Sequence, residues 1–131
     1  YKPWLDEDDG HNVLFQSVHL HGKNFYPNTG GYPAISQDHL QNQKKYSPAG
    51  IFNYPIFPGS ARCSKWRKTF AEQVIPQLVK FKPDFILISA GFDAHKRDPL
   101  ANLNFETADF AWATQQLCEV AQKHCQGRVV S

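Results

Sequence analysis

The chain has 131 residues, 41% of them apolar, and its 14 Lys and Arg against 12 Asp and Glu leave a formal charge of +2. That is enough apolar material for one packed domain or part of a larger one, and too even a charge balance to advertise a nucleic-acid surface. Its three cysteines, Cys63, Cys118 and Cys125, are odd in number and widely spaced, which excludes a disulfide framework and a CxxC zinc knuckle and favours a reducing compartment, nucleus or cytoplasm.

Residues 6–12 are polar and turn-rich, and 13–19, mostly apolar, read as a strand. From Leu20 to about Gly50 the chain carries Gly22, Pro27, Gly30, Gly31, Pro33 and Pro48 with no sustained period, so a loop is expected. A loop that long inside a compact domain is usually functional. A short strand over 51–57 is limited by Pro55 and Pro58. Trp66, Phe70, Val74 and Leu78 then recur every fourth residue and predict a helix over 62–80, which Pro76 should bend or reorganise. Residues 85–89 (FILIS) are apolar on both faces, as in a buried parallel strand. After a second loop over 90–105, Thr107 is the expected N-cap of a helix that carries Phe110, Ala113, Leu117 and Val120 or Ala121 on one face, with Asp109 suiting its dipole. Gly127 ends that helix and 128–130 begin another strand. The order of elements predicts an α/β fold with a mostly parallel sheet. The sequence has no Met and stops on an apolar run, so 1–131 is expected to be an internal part of a larger domain. No run of about 18 apolar residues and no leader pattern appears, and a soluble intracellular protein is expected.

In parallel α/β sheets, ligands bind beyond the carboxyl ends of the strands. Two segments leave strands there, SVHLHGKNFYPNTG from Ser17 and SAGFDAHKRDPL from Ser89. In the second, Asp93 follows Gly91, whose freedom lets the backbone turn and the carboxylate reach a cleft. The simpler alternative is that Asp93 or Asp98 makes a local turn hydrogen bond. His19, His21 and His95 are possible ligands, but no pair has the HxxxH spacing of a zinc protease. Lys65, Arg67 and Lys68 around Trp66 are read as a solvated helix face. No GxGxxG or Walker loop follows a strand, which disfavours a nucleotide-binding domain.

SAGFDAHKRDPL closely resembles the S-A-G-F-D-A, spacer, D-P-L segment of class II histone deacetylases and related bacterial acetyl-polyamine amidohydrolases. SVHLHGKNFYPNTG is similar to their S-[LIV]-H then F-[FY]-P-G-T-G stretch, and GRVVS resembles the strand leading to a Gly-Gly-Tyr motif. The resemblance runs from about Asn12 onwards and implies part of an arginase/deacetylase-like fold. It also implies a zinc-dependent hydrolase of acetyl-lysine acting on proteins such as histones, with a role in chromatin regulation, corepressor-type complexes as partners and no direct nucleic-acid or membrane binding. On it, Asp93 matches a zinc ligand. Ser17 and the carbonyl of Val18 match a structural potassium site. Phe25 and Tyr26 match the aromatic wall of the acetyl-lysine tunnel, and Pro99 and Leu100 its rim. By composition alone, Phe25, Tyr26 and Leu100 would be packing residues. Asn28 departs from the family's Gly, and 1–12 do not match. The D-x-H-H-G stretch that brings the other zinc ligands and the general base, and the oxyanion-stabilising tyrosine after Gly-Gly, have no counterpart here. Residues 1–131 alone are therefore expected to be inactive, and a non-catalytic binding or scaffolding module is the alternative.

Overall fold

A computed structural model of the chain describes residues 12–22, 25–26, 50–57, 62–100 and 103–131, apart from the side chains of 62 and 63. The acidic stretch before Asn12, most of the long loop and Asn28 lie outside the described residues. The chain divides into two compact units, Tyr1–Pro58 and Gly59–Ser131.

In the first unit, β1 (Phe15–Leu20) and β2 (Ile51–Ile56) pair in parallel, with Phe15 beside Ile51, Ser17 beside Asn53 and Leu20 beside Ile56. Both strands fall within about two residues of the sequence expectation. The ladder is entered by Phe15 N–H donating to Gly50 O at 2.6 Å and left by His21 N–H donating to Ile56 O at 2.8 Å. In a parallel ladder a residue turns its N–H and C=O to the same side. Odd-numbered residues of β1 therefore face β2, and Gln16, Val18 and Leu20 turn their backbone polar groups to the other edge. The same parity points the nitrogen of Pro55 away from β1, so its missing N–H costs this ladder nothing. Tyr54 O–H donates to Gln16 Oε1 at 3.0 Å, and Ile56 is fully buried.

The second unit begins with the predicted helix, in three pieces: α1 (Arg62–Thr69), a π-helical turn (Phe70–Val74) and α2 (Ile75–Phe81). Pro76 explains the break. A proline ring collides with the carbonyl four residues back, and the wider π turn, with Ile75 N–H donating to Phe70 O, opens that space. The helix is thus reorganised, and Trp66, Phe70, Val74 and Leu78 are all buried, as their spacing predicts. Lys82 closes α2 in the left-handed conformation, φ 57°, with its N–H on Leu78 O.

β3 (Ile86–Leu87) pairs in parallel with β4 (Val129–Val130), the crossover running through a 3-10 turn (Phe92–Ala94) and α3 (Thr107–His124). The pairing is parallel as expected, but burial on both faces does not hold in this unit. Ile86 is buried, whereas Leu87 is 73% exposed and Phe85 is exposed too. The helices cover one face of a strand whose other face has no covering layer among the described residues of the unit. The N-cap of α3 also differs: Glu106, not Thr107, takes the extended cap conformation and forms a reciprocal capping box with Asp109. A carboxylate reaches the free N–H groups as well as a hydroxyl does. At the far end, Gly127 adopts φ 76° and donates to Ala121 O at 3.0 Å, ending the helix as expected.

Candidate functional site

Asp93 lies in the 3-10 turn just past the carboxyl end of β3, and its flanks anchor it to the core. Phe92 packs on Phe110 of α3 with ring centroids 5.5 Å apart. His95 stacks on the same ring at 6.3 Å, and Phe105 meets it at 6.0 Å. Phe110 thus holds both ends of the segment. A parallel bridge between His95 and Phe105 closes the loop base, with Phe105 N–H donating to Ala94 O at 3.0 Å and Lys96 N–H donating to Phe105 O at 2.8 Å. Lys96 Nζ adds an ion pair to Glu106 Oε1 at 2.7 Å, which holds the Glu106 carboxyl below its ordinary range.

The two aspartates of SAGFDAHKRDPL part company here. Asp98 makes the local turn bond, accepting from Leu100 N–H at 2.8 Å. The carboxylate of Asp93 accepts no hydrogen bond among the described residues, and its side chain is half-buried. Gly91 gives it room: a Cβ at that position would stand 3.1 Å from Asp93 Oδ1. Leu100 is 72% exposed, and Pro99 beside it is exposed.

In the first unit, Ser17 shares a hydrogen bond of 2.9 Å with His19 Nδ1, so this histidine is engaged on the strand itself. The register neighbour of Ser17 is Asn53, 6% exposed, whose Oδ1 is buried without a hydrogen-bond partner. An orphaned oxygen acceptor beside a serine hydroxyl is a donor set that suits a hard cation. The Val18 carbonyl leaves the strand on the edge away from β2. Phe25 is half-buried, its N–H donating to Gly22 O at 3.1 Å, and Tyr26 is 88% exposed.

Among the described residues, no cluster of three His, Cys, Asp or Glu side chains is placed to hold a metal. Asp93 offers a carboxylate, a hard oxygen donor, outside any such cluster.

One link escaped the sequence reading. Arg67 is tied down on its part-solvated face: its Nε donates to Asp109 Oδ1 at 2.7 Å and its guanidinium lies 5.2 Å from the Trp112 ring centre. The partners are 42 residues apart, and no local pattern joins them. Lys65 and Lys68 are exposed, as read.

A parallel strand pair joined through a crossover helix makes this an α/β protein, and its likeness to the HDA15 HD domain makes it part of an arginase/deacetylase-like fold. The crystal structure of the HDA15 HD domain superposes with a TM-score of 0.68 at 32% identity, over 89% of this chain and 30% of that one. The histone deacetylase domain family matches residues 6–131, and the chain belongs to that family of hydrolases. The match begins six residues earlier than Asn12, so the similarity reaches into residues 6–12, where no family motif is legible. Histone deacetylase 14, chloroplastic, of Arabidopsis thaliana is 37% identical over 91% of this chain and 26% of its own length. A histone deacetylase-like amidohydrolase of Pseudomonas aeruginosa is 29% identical over 91% of this chain and 29% of its own. The chain thus spans between a quarter and a third of the length of these relatives.

Proposed function

We propose that residues 1–131 are part of the catalytic domain of a zinc-dependent lysine deacetylase, and that Asp93 is one of its zinc ligands. The observation that carries this is the contrast between the two aspartates: Asp98 is consumed by a turn, while Asp93 is held at the strand end, beside a glycine, with no hydrogen bond among the described residues. Bound zinc supplies Lewis-acid polarisation of the acetyl amide carbonyl. Asp93 supplies negative charge and one hard oxygen to hold it. Ser17 Oγ and the carbonyl of Val18 serve a structural potassium ion, a role that the buried acceptor of Asn53 next to Ser17 supports. Phe25 and Tyr26 give an aromatic surface and Pro99 and Leu100 an apolar one for the four methylenes of an acetylated lysine. The exposure of Tyr26 and Leu100 fits surfaces meant for a ligand.

The substrates we propose are acetylated lysines of proteins such as histones, with corepressor-type complexes as partners. By the resemblance, residues 1–131 carry one zinc ligand and no counterpart of the family's general base, so these residues alone are inactive under this reading. Cys118 and Cys125 are free thiols, which suits the nucleus and cytoplasm, and the name of the Arabidopsis relative adds the chloroplast. The test is Asp93→Ala in the full-length protein, assayed on an acetyl-lysine peptide alongside metal analysis. Loss of both zinc and activity is expected. Retention of both would place the metal elsewhere, and an unsubstituted full-length protein with neither activity nor zinc would favour the scaffolding alternative.

A further inference from the structure

The loop that carries Leu100 is built to keep that side chain out of the core. Its base is closed by the Ala94 and Lys96 bonds to Phe105 and by the Lys96–Glu106 ion pair, so its ends cannot drift. Inside it, Asp98 N–H donates to His95 O at 2.9 Å, forming a turn, and Pro99 fixes its own φ. The next N–H, that of Leu100, donates to Asp98 Oδ1 at 2.8 Å. The side chain of Asp98 thereby spans Pro99 and sets the backbone at Leu100, which stands 72% exposed although burial would favour a leucine. The Asp98 carboxylate thus fixes where Leu100 leaves the backbone, a position that matters wherever Leu100 meets a ligand.

We propose that Asp98 is a positioning residue for substrate: it holds Leu100 against the methylene stem of the acetylated lysine, and it acts as a hydrogen-bond acceptor, not through its charge. The inference rests on the reading of Leu100 as the tunnel rim. A rim contact touches the stem equally before and during reaction, so its loss should weaken binding and spare the chemical step.

The experiment uses the full-length protein and an acetyl-lysine peptide. Asp98→Ala is expected to raise KM about fivefold, in keeping with one lost hydrogen bond, and to leave kcat within about twofold. Asp98→Asn keeps the same oxygen acceptor without charge and is expected to stay within about twofold of the parent in both constants. Because Asp98 works through Leu100, Asp98→Ala added to Leu100→Ala should raise KM no further than Leu100→Ala alone. An unchanged KM in folded Asp98→Ala, a fall in kcat with KM unmoved, a KM in Asp98→Asn as poor as in Asp98→Ala, or additive effects in the double variant each overturn the proposal. If Asp98→Ala does not fold, Asp98→Asn decides, since a normal KM supports the acceptor role and a raised one refutes it. Asp93→Ala separates the two readings: an active, zinc-replete Asp93→Ala protein removes the deacetylase assignment, whereas an inactive one with a normal Asp98→Ala removes only the role of Asp98.

Discussion

Arg67 Nη2 stands 2.6 Å from Asp109 Oδ1, joining the helix that opens the second unit to the first turn of the helix that follows the Asp93 loop. The aspartate side chain is 5% exposed and also receives Glu106 N–H at 2.8 Å on its other oxygen, so one buried carboxylate caps α3 and binds α1. The arginine is 40% exposed and lies against Trp112, so water screens part of the attraction.

Removing the guanidinium takes a charge-assisted hydrogen bond away from a buried carboxylate. Arg67→Ala should therefore destabilise the fold by about 1.5–3 kcal/mol, the range for hydrogen bonds to charged groups, and less than a fully buried pair would lose. Urea unfolding reads this as a lower midpoint at an unchanged m-value. An unmoved midpoint would mean that the pair is solvated and contributes nothing.

The limits of the sequence reading follow from the range of the forces involved. Trp66, Phe70, Val74 and Leu78 announce their helix because apolar spacing is local, and Pro76 announces a disturbance because its ring clash is local too. The π turn that resolves the clash depends on how the next turn can widen, which spacing does not encode. SAGFDAHKRDPL marks the strand end, yet the different fates of Asp93 and Asp98 depend on where backbone N–H groups point after the chain turns. Glu106 escaped notice because the cap pattern sought there was a hydroxyl followed by an acid, and here two acids do both jobs. Arg67 escaped because its partner is distant in sequence and the cluster around it resembles an ordinary polar face. The expected burial of 85–89 on both faces is a statement about a whole sheet, and the described residues of the second unit supply a layer on one side only.

Gly91 leaves room for the Asp93 carboxylate. A methyl group there would stand 3.1 Å from Asp93 Oδ1, closer than comfortable van der Waals contact, so the carboxylate must give way by a few tenths of an ångström. Gly91 also has extended φ, −105°, which alanine tolerates, so the substitution strains the carboxylate and not the chain. In the full-length protein, Gly91→Ala should lower zinc affinity about tenfold, the lower end of what displaced supporting contacts cost a metal site. Chelator competition measures the affinity, and circular dichroism should report an unchanged fold. Equal zinc affinity in the two proteins would show that Asp93 Oδ1 is not constrained from this side.

Tyr54 offers a readout of the first unit that does not depend on metal or substrate. Its phenol is buried within the strand pair and donates to Gln16 Oε1 at 3.0 Å, and removal from water pushes its pKa up to about 12. Burial disfavours the phenolate, so folding holds the proton more tightly than the unfolded chain does, where tyrosine titrates near about 10. The sign follows from linkage: this contribution is fully present below the unfolded value and is lost as the pH rises through the folded one, so the window of falling stability runs from about 10 to about 12. Of the five tyrosines in the chain, Tyr54 should form its phenolate late in an ultraviolet titration of the folded protein. Tyr54→Phe should remove that late absorbance and flatten the alkaline loss of stability in the same window. A variant whose late phase persists would show that another phenol is the buried one, and that the Tyr54 hydroxyl is open to water despite its place between the strands.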